Sequence, residues 1–239
     1  MATLQVAKKE LRKKLRKILS DIPKESAAAQ STTATNKLFA LPEYRSASRI
    51  SVYLSMPSGE ISTLAIVRDA LGQGKQVFVP YIYKIEAAPN VPRTSLMDML
   101  ALHSMEEFEG LKPDNWGIPS LDESTIANRT NCLGGHGLSV NQEPSTKTAG
   151  SGLDMIVMPG MAFDEGFRRL GHGKGYYDHF LRRYKELQNT SGTPQMPYLV
   201  ALALEEQILP PSETVPVGDH DWPVDAVIIG NGRVLTSKS

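Results

Sequence analysis

The residues best suited to chemistry run from Arg169 to Asp178, in the order Arg-Leu-Gly-His-Gly-Lys-Gly-Tyr-Tyr-Asp. Gly171, Gly173 and Gly175 let the main chain approach a ligand closely, and Arg169 and Lys174 add fixed positive charge. Tyr176, Tyr177 and Asp178 open an amphipathic helix whose free N–H groups attract anions. Phosphate is the ligand such a loop suits. It matches neither common nucleotide motif. A dinucleotide fingerprint needs G-x-G-x-x-G directly after its strand, and a Walker A loop needs Ser or Thr after Gly-Lys, where this chain has Gly175. An anion site made by a helix N-terminus with Arg169 and Lys174 therefore stands against a solvated surface turn, and the glycines alone do not separate the two.

A loop of this kind acts only if a rigid scaffold places it. Strand-like runs at 49–55, 76–83, 97–103, 153–158, 198–204 and 226–229 alternate with helical segments near 62–71 and 175–187. Several runs are too apolar to leave one face in water, which suits buried parallel strands. The alternation predicts an α/β sheet covered on both faces, with ligands at the carboxyl ends of its strands. The loops 56–60 and 159–178 both leave such ends, so Glu60 and the glycine-rich loop are expected in one crevice.

Composition narrows the class. At 239 residues, 41% hydrophobic, the chain can bury a large core, either as one domain or as one with a lobe. Twenty-six basic and 26 acidic residues cancel, so no global field draws it to nucleic acid or membrane. Cys132 is the single cysteine, which excludes an internal disulfide and a cysteine-based zinc site, and no zinc-type cluster is legible among the histidines. With no apolar run of membrane length and no secretory signal pattern, a cytosolic protein is expected.

Lys8, Lys9, Arg12, Lys13, Lys14, Arg16 and Lys17 crowd one predicted helix, whose apolar stripe is Ala7, Leu11, Leu15 and Ile18 or Leu19. Three readings stay open: a solvated face, a mitochondrial targeting helix that Glu10 argues against, or cations reaching an anion held elsewhere. Ser20 and Asp21 before Pro23 suit the cap of a second helix to about Leu41. From Leu121 to Gly152 the chain turns rich in Ser, Thr, Asn and Gly, and a flexible surface insertion is expected.

The segments Met158-Pro159-Gly160-Met161-Ala162-Phe163-Asp164 and Arg169 to Asp178 resemble the signature of the 5-formyltetrahydrofolate cyclo-ligase (5,10-methenyltetrahydrofolate synthetase) family. Lys8-Lys9-Glu10-Leu11-Arg12, Leu54-Ser55-Met56 with Glu60-Ile61, Trp116-Gly117-Ile118-Pro119 and the closing Val215-Pro216-Val217, Asp221 and Val224-Asp225 follow the family in the same order. The resemblance spans nearly the whole chain as one domain and leaves out only the 121–152 insertion.

It implies a Rossmann-like three-layer sandwich with a mostly parallel central sheet and N-terminal helices packed on it. It also implies an ATP- and Mg2+-dependent enzyme that makes 5,10-methenyltetrahydrofolate from 5-formyltetrahydrofolate, possessing a monoglutamyl or polyglutamyl tail, and releases ADP and phosphate. By motif position, Lys8, Lys9, Arg12 and the run Arg169, Leu170, Gly171, His172, Gly173, Lys174, Gly175, Tyr176 and Tyr177 would contact ATP. Leu54, Glu60 and Trp116, with His172, Gly173, Lys174, Gly175 and Tyr176, would meet the folate. Asp178 and Asp221 would hold magnesium, and Lys174 and Arg169 would be the catalytic cations. Many family members have Arg where this chain has His172, which supplies less fixed charge. No nucleic acid, membrane or second subunit is expected as a partner, and a mitochondrial fraction stays open. Two rivals are a folate- or nucleotide-binding regulator without turnover, and a sugar-phosphate isomerase or acyl-transfer enzyme on a similar sheet.

Overall fold

The computed structural model describes residues 2–85, 95–141, 152–189 and 195–237. Two helices, α1 (Ala2–Ser20) and α2 (Lys24–Ala40), and a short α3 (Pro42–Ser46) precede β1 (Arg49–Val52), α4 (Leu64–Gly72), β2 (Gln76–Lys84) and β3 (Ser95–Leu102). There follow α5 (Met105–Glu109), the small pair β4 (Lys112–Pro113) and β5 (Pro119–Ser120), and then β6 (Met155–Met158). A hairpin of β7 (Ala162–Phe163) and β8 (Arg169–Leu170) leads into α6 (Tyr176–Asn189), and β9 (Tyr198–Ala203), β10 (Ala226–Ile229) and β11 (Val234–Thr236) complete the chain.

The central sheet has seven strands in the order β11-β10-β9-β6-β1-β2-β3. All neighbours from β10 to β2 are parallel, and only the outer pairs β10/β11 and β2/β3 are antiparallel. Alternate side chains feed two cores. Ile50, Val52, Met155, Val157 and Val200 meet α2 and α4 through Ala34, Leu38, Ile66 and Val67. Phe78, Ile156, Met158, Leu199 and Val227 meet Phe180, Leu181 and Tyr184 of α6. The result is the expected three-layer α/β sandwich. After β1 the chain crosses to β2 on one side, and after β6 to β9 on the other, so the adjacent strands β1 and β6 send their connections in opposite directions. In open α/β sheets a ligand crevice is expected where such neighbours part, outside their carboxyl ends.

Three local expectations are corrected. Ser20 and Asp21 do not cap α2. Pro23 is its N-cap, without a side-chain hydrogen bond, while the Ser20 hydroxyl donates to the Lys17 carbonyl and ends α1. The inward stripe of α1 is Lys8, Leu11, Leu15 and Leu19; Ala7 and Ile18 face solvent. A lysine thus occupies a place that hydropathy assigned to an alanine.

The third concerns the 121–152 segment. Residues 142–151 lie outside the described residues, but 121–141 pack on the sheet instead of standing off it. Asn131 bridges Leu100 of β3, Cys132 N–H donates to the Met99 carbonyl, and Ile126 and Cys132 are buried. The anchor is Asp98, 0% exposed on β3. Its carboxylate accepts from the Ser139 main chain at 2.7 Å, the Ser139 hydroxyl at 2.9 Å, Asn131 at 3.2 Å, Tyr83 at 3.2 Å and Arg183 of α6 at 3.0 Å. Polar residues that looked solvated are consumed by one buried acid. Replacing Asp98 by Ala leaves Arg183, Asn131 and the Ser139 amide without that acceptor, and denaturant unfolding should register a loss of about 3 kcal/mol or more. A loss below about 1 kcal/mol would mean that water serves these donors equally well.

Candidate active site

The loops leaving β1 and β6 meet in that crevice. After β1 the chain passes through the buried Leu54 to a turn in which Gly59 has φ +77°, with its notional Cβ 3.6 Å from Cβ of Leu19. Glu60 is thereby turned inward. One carboxylate oxygen accepts from the Met56 N–H at 3.0 Å and the other lies 3.2 Å from Nε2 of His172. This contact joins the two loops, as the strand-end argument required.

After β6 the hairpin β7–β8 carries Arg169 and Leu170 back to the crevice. Leu170 turns its side chain into a small core with Leu15, Met161 and Val215, so its place in the loop is that of a core residue. Arg169 also differs from expectation. Instead of projecting toward a ligand it is 6% exposed, donating to Asp178 at 3.0 Å and to the Pro159 carbonyl at 3.4 Å, with its guanidinium 5.7 Å from the centroid of the Tyr177 ring. A buried guanidinium needs such partners. Its Nε and the Tyr177 hydroxyl nonetheless have no hydrogen-bond partner among the described residues. Burial, with Glu60 nearby, drives the Tyr177 phenol well above its ordinary pKa, against the pull of Arg169. It stays protonated, a neutral donor.

The glycines follow. Gly173 takes φ +108° and Gly175 φ +68°, conformations that side chains resist. Gly175 then accepts from the His179 N–H, which starts α6. Lys174 is exposed and has no hydrogen-bond or ion-pair partner among the described residues. His172 is exposed, Tyr176 half-buried.

α1 lies across this loop. Arg12 Nε donates to the Gly171 carbonyl at 2.8 Å, and its guanidinium carbon would sit 3.3 Å from a Cβ on Gly173. Burial, and then the Arg16 charge, lower the Arg12 pKa, with Asp221 acting in the opposite direction. An anion beside the loop would relieve that cation crowding. One turn earlier Lys8 reaches Asp221, 2.7 Å from Oδ1. Asp221 also accepts from the Gly218 N–H at 2.6 Å, and Asp178 from the Trp222 N–H at 3.1 Å. Lys9, by contrast, is exposed with no partner among the described residues.

Trp116 stands on the open rim, 74% exposed. It is placed there by the Asp114 turn, whose carboxylate accepts from the Trp116 N–H at 2.8 Å, and by Gly117, which abuts Pro57 so closely that an added Cβ would lie 2.7 Å away. The rim thus adjoins the loop carrying Glu60.

A family model described as 5-formyltetrahydrofolate cyclo-ligase matches residues 4–230. The chain belongs to that family. It is 35% identical over 226 residues to the mouse 5-formyltetrahydrofolate cyclo-ligase, covering 95% of each chain. It is 27% identical to an Arabidopsis thaliana relative named as the mitochondrial cyclo-ligase, across 95% of this chain and 75% of the relative. The solved 5,10-methenyltetrahydrofolate synthetase of Aquifex aeolicus has the same fold, at TM-score 0.66 and 24% identity, covering 97% of this chain and 93% of its own. Members of the family are ligases, and the expected recognition and enzyme class stand.

Sequence reasoning missed the two ion pairs: Lys8 and Asp221 lie 213 positions apart, and Arg169 and Asp178, nine apart, match no helix or strand spacing. It also missed the carboxylate of Asp164, visible only as one letter of the signature. Gly173→Ala tests the loop geometry: at φ +108° and against Arg12 the methyl must displace both, so nucleotide affinity should fall at least about tenfold while the melting temperature moves little. Wild-type nucleotide affinity in the alanine variant would remove the loop from the site.

Proposed function

We propose that the crevice binds ATP and 5-formyltetrahydrofolate side by side and couples cleavage of ATP, with the formyl oxygen as acceptor, to ring closure, giving 5,10-methenyltetrahydrofolate, ADP and phosphate. The observation that carries the reading is the Glu60–His172 contact, which sets a carboxylate suited to pterin N–H groups against a cationic glycine-rich loop suited to phosphate. The Mus musculus relative carries the cyclo-ligase name over essentially the same length.

The N5-formyl group is an amide, so its carbonyl is a poor electrophile and its oxygen a poor leaving group. In the proposed path the formyl oxygen bonds to the γ-phosphorus as the bond to ADP breaks. N10 then adds its lone pair to the formyl carbon, loses its proton, and the carbon–oxygen bond breaks to release phosphate. Phosphoryl transfer of this kind depends on positioning and neutralisation, not on a nucleophilic side chain. Lys174 and Arg12 supply the mobile charge, and His172 a weaker contact. The Gly171–Gly175 main chain supplies close approach. Arg169 shapes the loop from behind through Asp178. Leu54, Glu60, Tyr176 and the Trp116 rim frame the pterin side, and Lys8 fixes Asp221.

Magnesium fits on these terms. Among the described residues no three His, Cys, Asp or Glu side chains converge as a cage, and Asp178 and Asp221 are each already engaged by a cation. A hard ion that keeps phosphate oxygens and water needs only one or two protein carboxylates. Asp178 and Asp221 would supply them, and the ion would neutralise phosphate charge.

The reading extends to place and state. The proposed acting form is a monomer, since the assigned residues form the site within a single chain. The proposed location is the cytosol, with a mitochondrial fraction left open, and in either place the enzyme needs α1, which contributes Lys8 and Arg12 to the folded site. No described helix is long and apolar enough to cross a membrane.

Purified protein with 5-formyltetrahydrofolate and MgATP should generate the methenyl chromophore with one ADP per product. Folded protein that binds both ligands without that absorbance would reject the enzyme reading in favour of a binding regulator. Lys174→Ala should lower kcat/KM by at least about a hundredfold, in the range of lost phosphate-neutralising groups, with unchanged unfolding. Full activity in that variant would overturn the assignment of Lys174.

A further inference from the structure

We infer that Asp164 is a positioning residue for the phosphate side of the crevice, acting through the chain segment that carries Asp221. Asp164 is 3% exposed and touches none of the groups assigned to substrate. Oδ1 accepts from the Gly166 N–H at 2.9 Å and the Arg168 N–H at 3.2 Å, and Oδ2 from Arg168 Nε and from the Val215 N–H, each at 2.8 Å. The first three bonds close the turn between β7 and β8. The fourth reaches a different part of the chain.

Val215 begins a strap that runs over the site. Beyond it come Gly218 and Asp221, held to one another and to Lys8; then Trp222, whose N–H meets Asp178; then Val224, whose N–H donates to the Phe167 carbonyl at 3.0 Å. The β7–β8 turn therefore pins the strap at both ends, and the acceptor at its far end comes from an unusual backbone. Phe167, at φ +61°, is the one non-glycine residue with positive φ among the described residues. A bulky residue holds that conformation only when its surroundings over-determine it, and such outliers gather at functional sites. Asp164 forms three of the bonds that hold this turn. It consequently sets the spacing between the Arg169–Asp178 pair, which follows the turn, and Asp221 on the strap.

Only a carboxylate fits the position. Both oxygens accept two bonds, and an amide in its place would aim N–H donors at the Val215 N–H or the Arg168 side chain.

The inference rests on the cyclo-ligase reading, so wild-type turnover is measured first. Binding of MgADP by calorimetry, which needs no turnover, is measured in parallel and tests Asp164 even if that reading fails. Asp164→Asn should raise the KM for MgATP and the Kd for MgADP about tenfold, and shift the half-saturating Mg2+ upward, with the KM for 5-formyltetrahydrofolate within about twofold of wild type. Val215→Pro deletes the strap's N–H, leaves the carboxylate intact, and should shift the nucleotide constants in the same direction. Arg168→Met removes one of the two donors to Oδ2 and keeps the three main-chain donors to the carboxylate, so it should shift the nucleotide constants in the same direction by less than Asp164→Asn does. A merely structural role would lower the folded fraction and leave both KM values unchanged. Wild-type nucleotide constants in Asp164→Asn and Val215→Pro, or equal rises in both KM values, overturn the inference. Should Asp164→Asn not fold, Val215→Pro alone decides it.

Discussion

Crowding positive charge into one crevice is the constraint on which this structure turns. Arg12 and Lys174 flank the glycine-rich loop with the buried Arg169 behind it, and Arg16 already crowds Arg12. The fold answers with carboxylates placed behind the cations. Asp178 neutralises Arg169 beneath the loop and Asp221 neutralises Lys8 at its flank, while Lys174 and Arg12 form no ion pair among the described residues. Neutralisation from behind keeps the cluster foldable and still leaves net attraction where an anion arrives.

The sheet makes that convergence possible. Because β1 and β6 are neighbours whose chains depart in opposite directions, the loops behind them are forced apart laterally yet held at one level. Glu60 and His172 bridge the gap. On one side lies a carboxylate with its second oxygen bound to main chain, on the other a glycine-rich turn lying under α1. The Tyr177 hydroxyl, near enough to Glu60 to feel its charge, and the Arg169 Nε are buried without a hydrogen-bond partner among the described residues. Buried polar atoms without partners are costly, and their presence here marks a region organised around more than packing.

Much of this was legible before any coordinates. The strands carried apolar runs too long for a wet face, and Gly173 and Gly175 marked positions where the backbone takes positive φ. What local pattern missed was long-range polarity. Hydropathy placed Ala7 on the inner stripe of α1, yet the slot belongs to Lys8, because a partner lies at Asp221. Low apolar content made 121–141 look detached, yet Asp98 supplied an interior acceptor for its hydroxyls and amides. Arg169 read as a ligand-facing cation because a sequence does not say which way a guanidinium turns. For Lys8 and for 121–141 the deciding partner was far along the chain; for Arg169 it was near, but at a spacing that no helix or strand period marks.

The pairing of Lys8 with Asp221 spans 213 positions, and this sets when the site can exist. A ribosome releases α1 early, but the strap emerges only after β9, so a nascent chain holds its cationic helix exposed and unmatched through most of synthesis. On the proposed reading, nucleotide capture would have to wait for that late encounter. Occupancy then reports completion: a chain cut short before the strap keeps most of its sheet-forming residues and lacks a finished cradle.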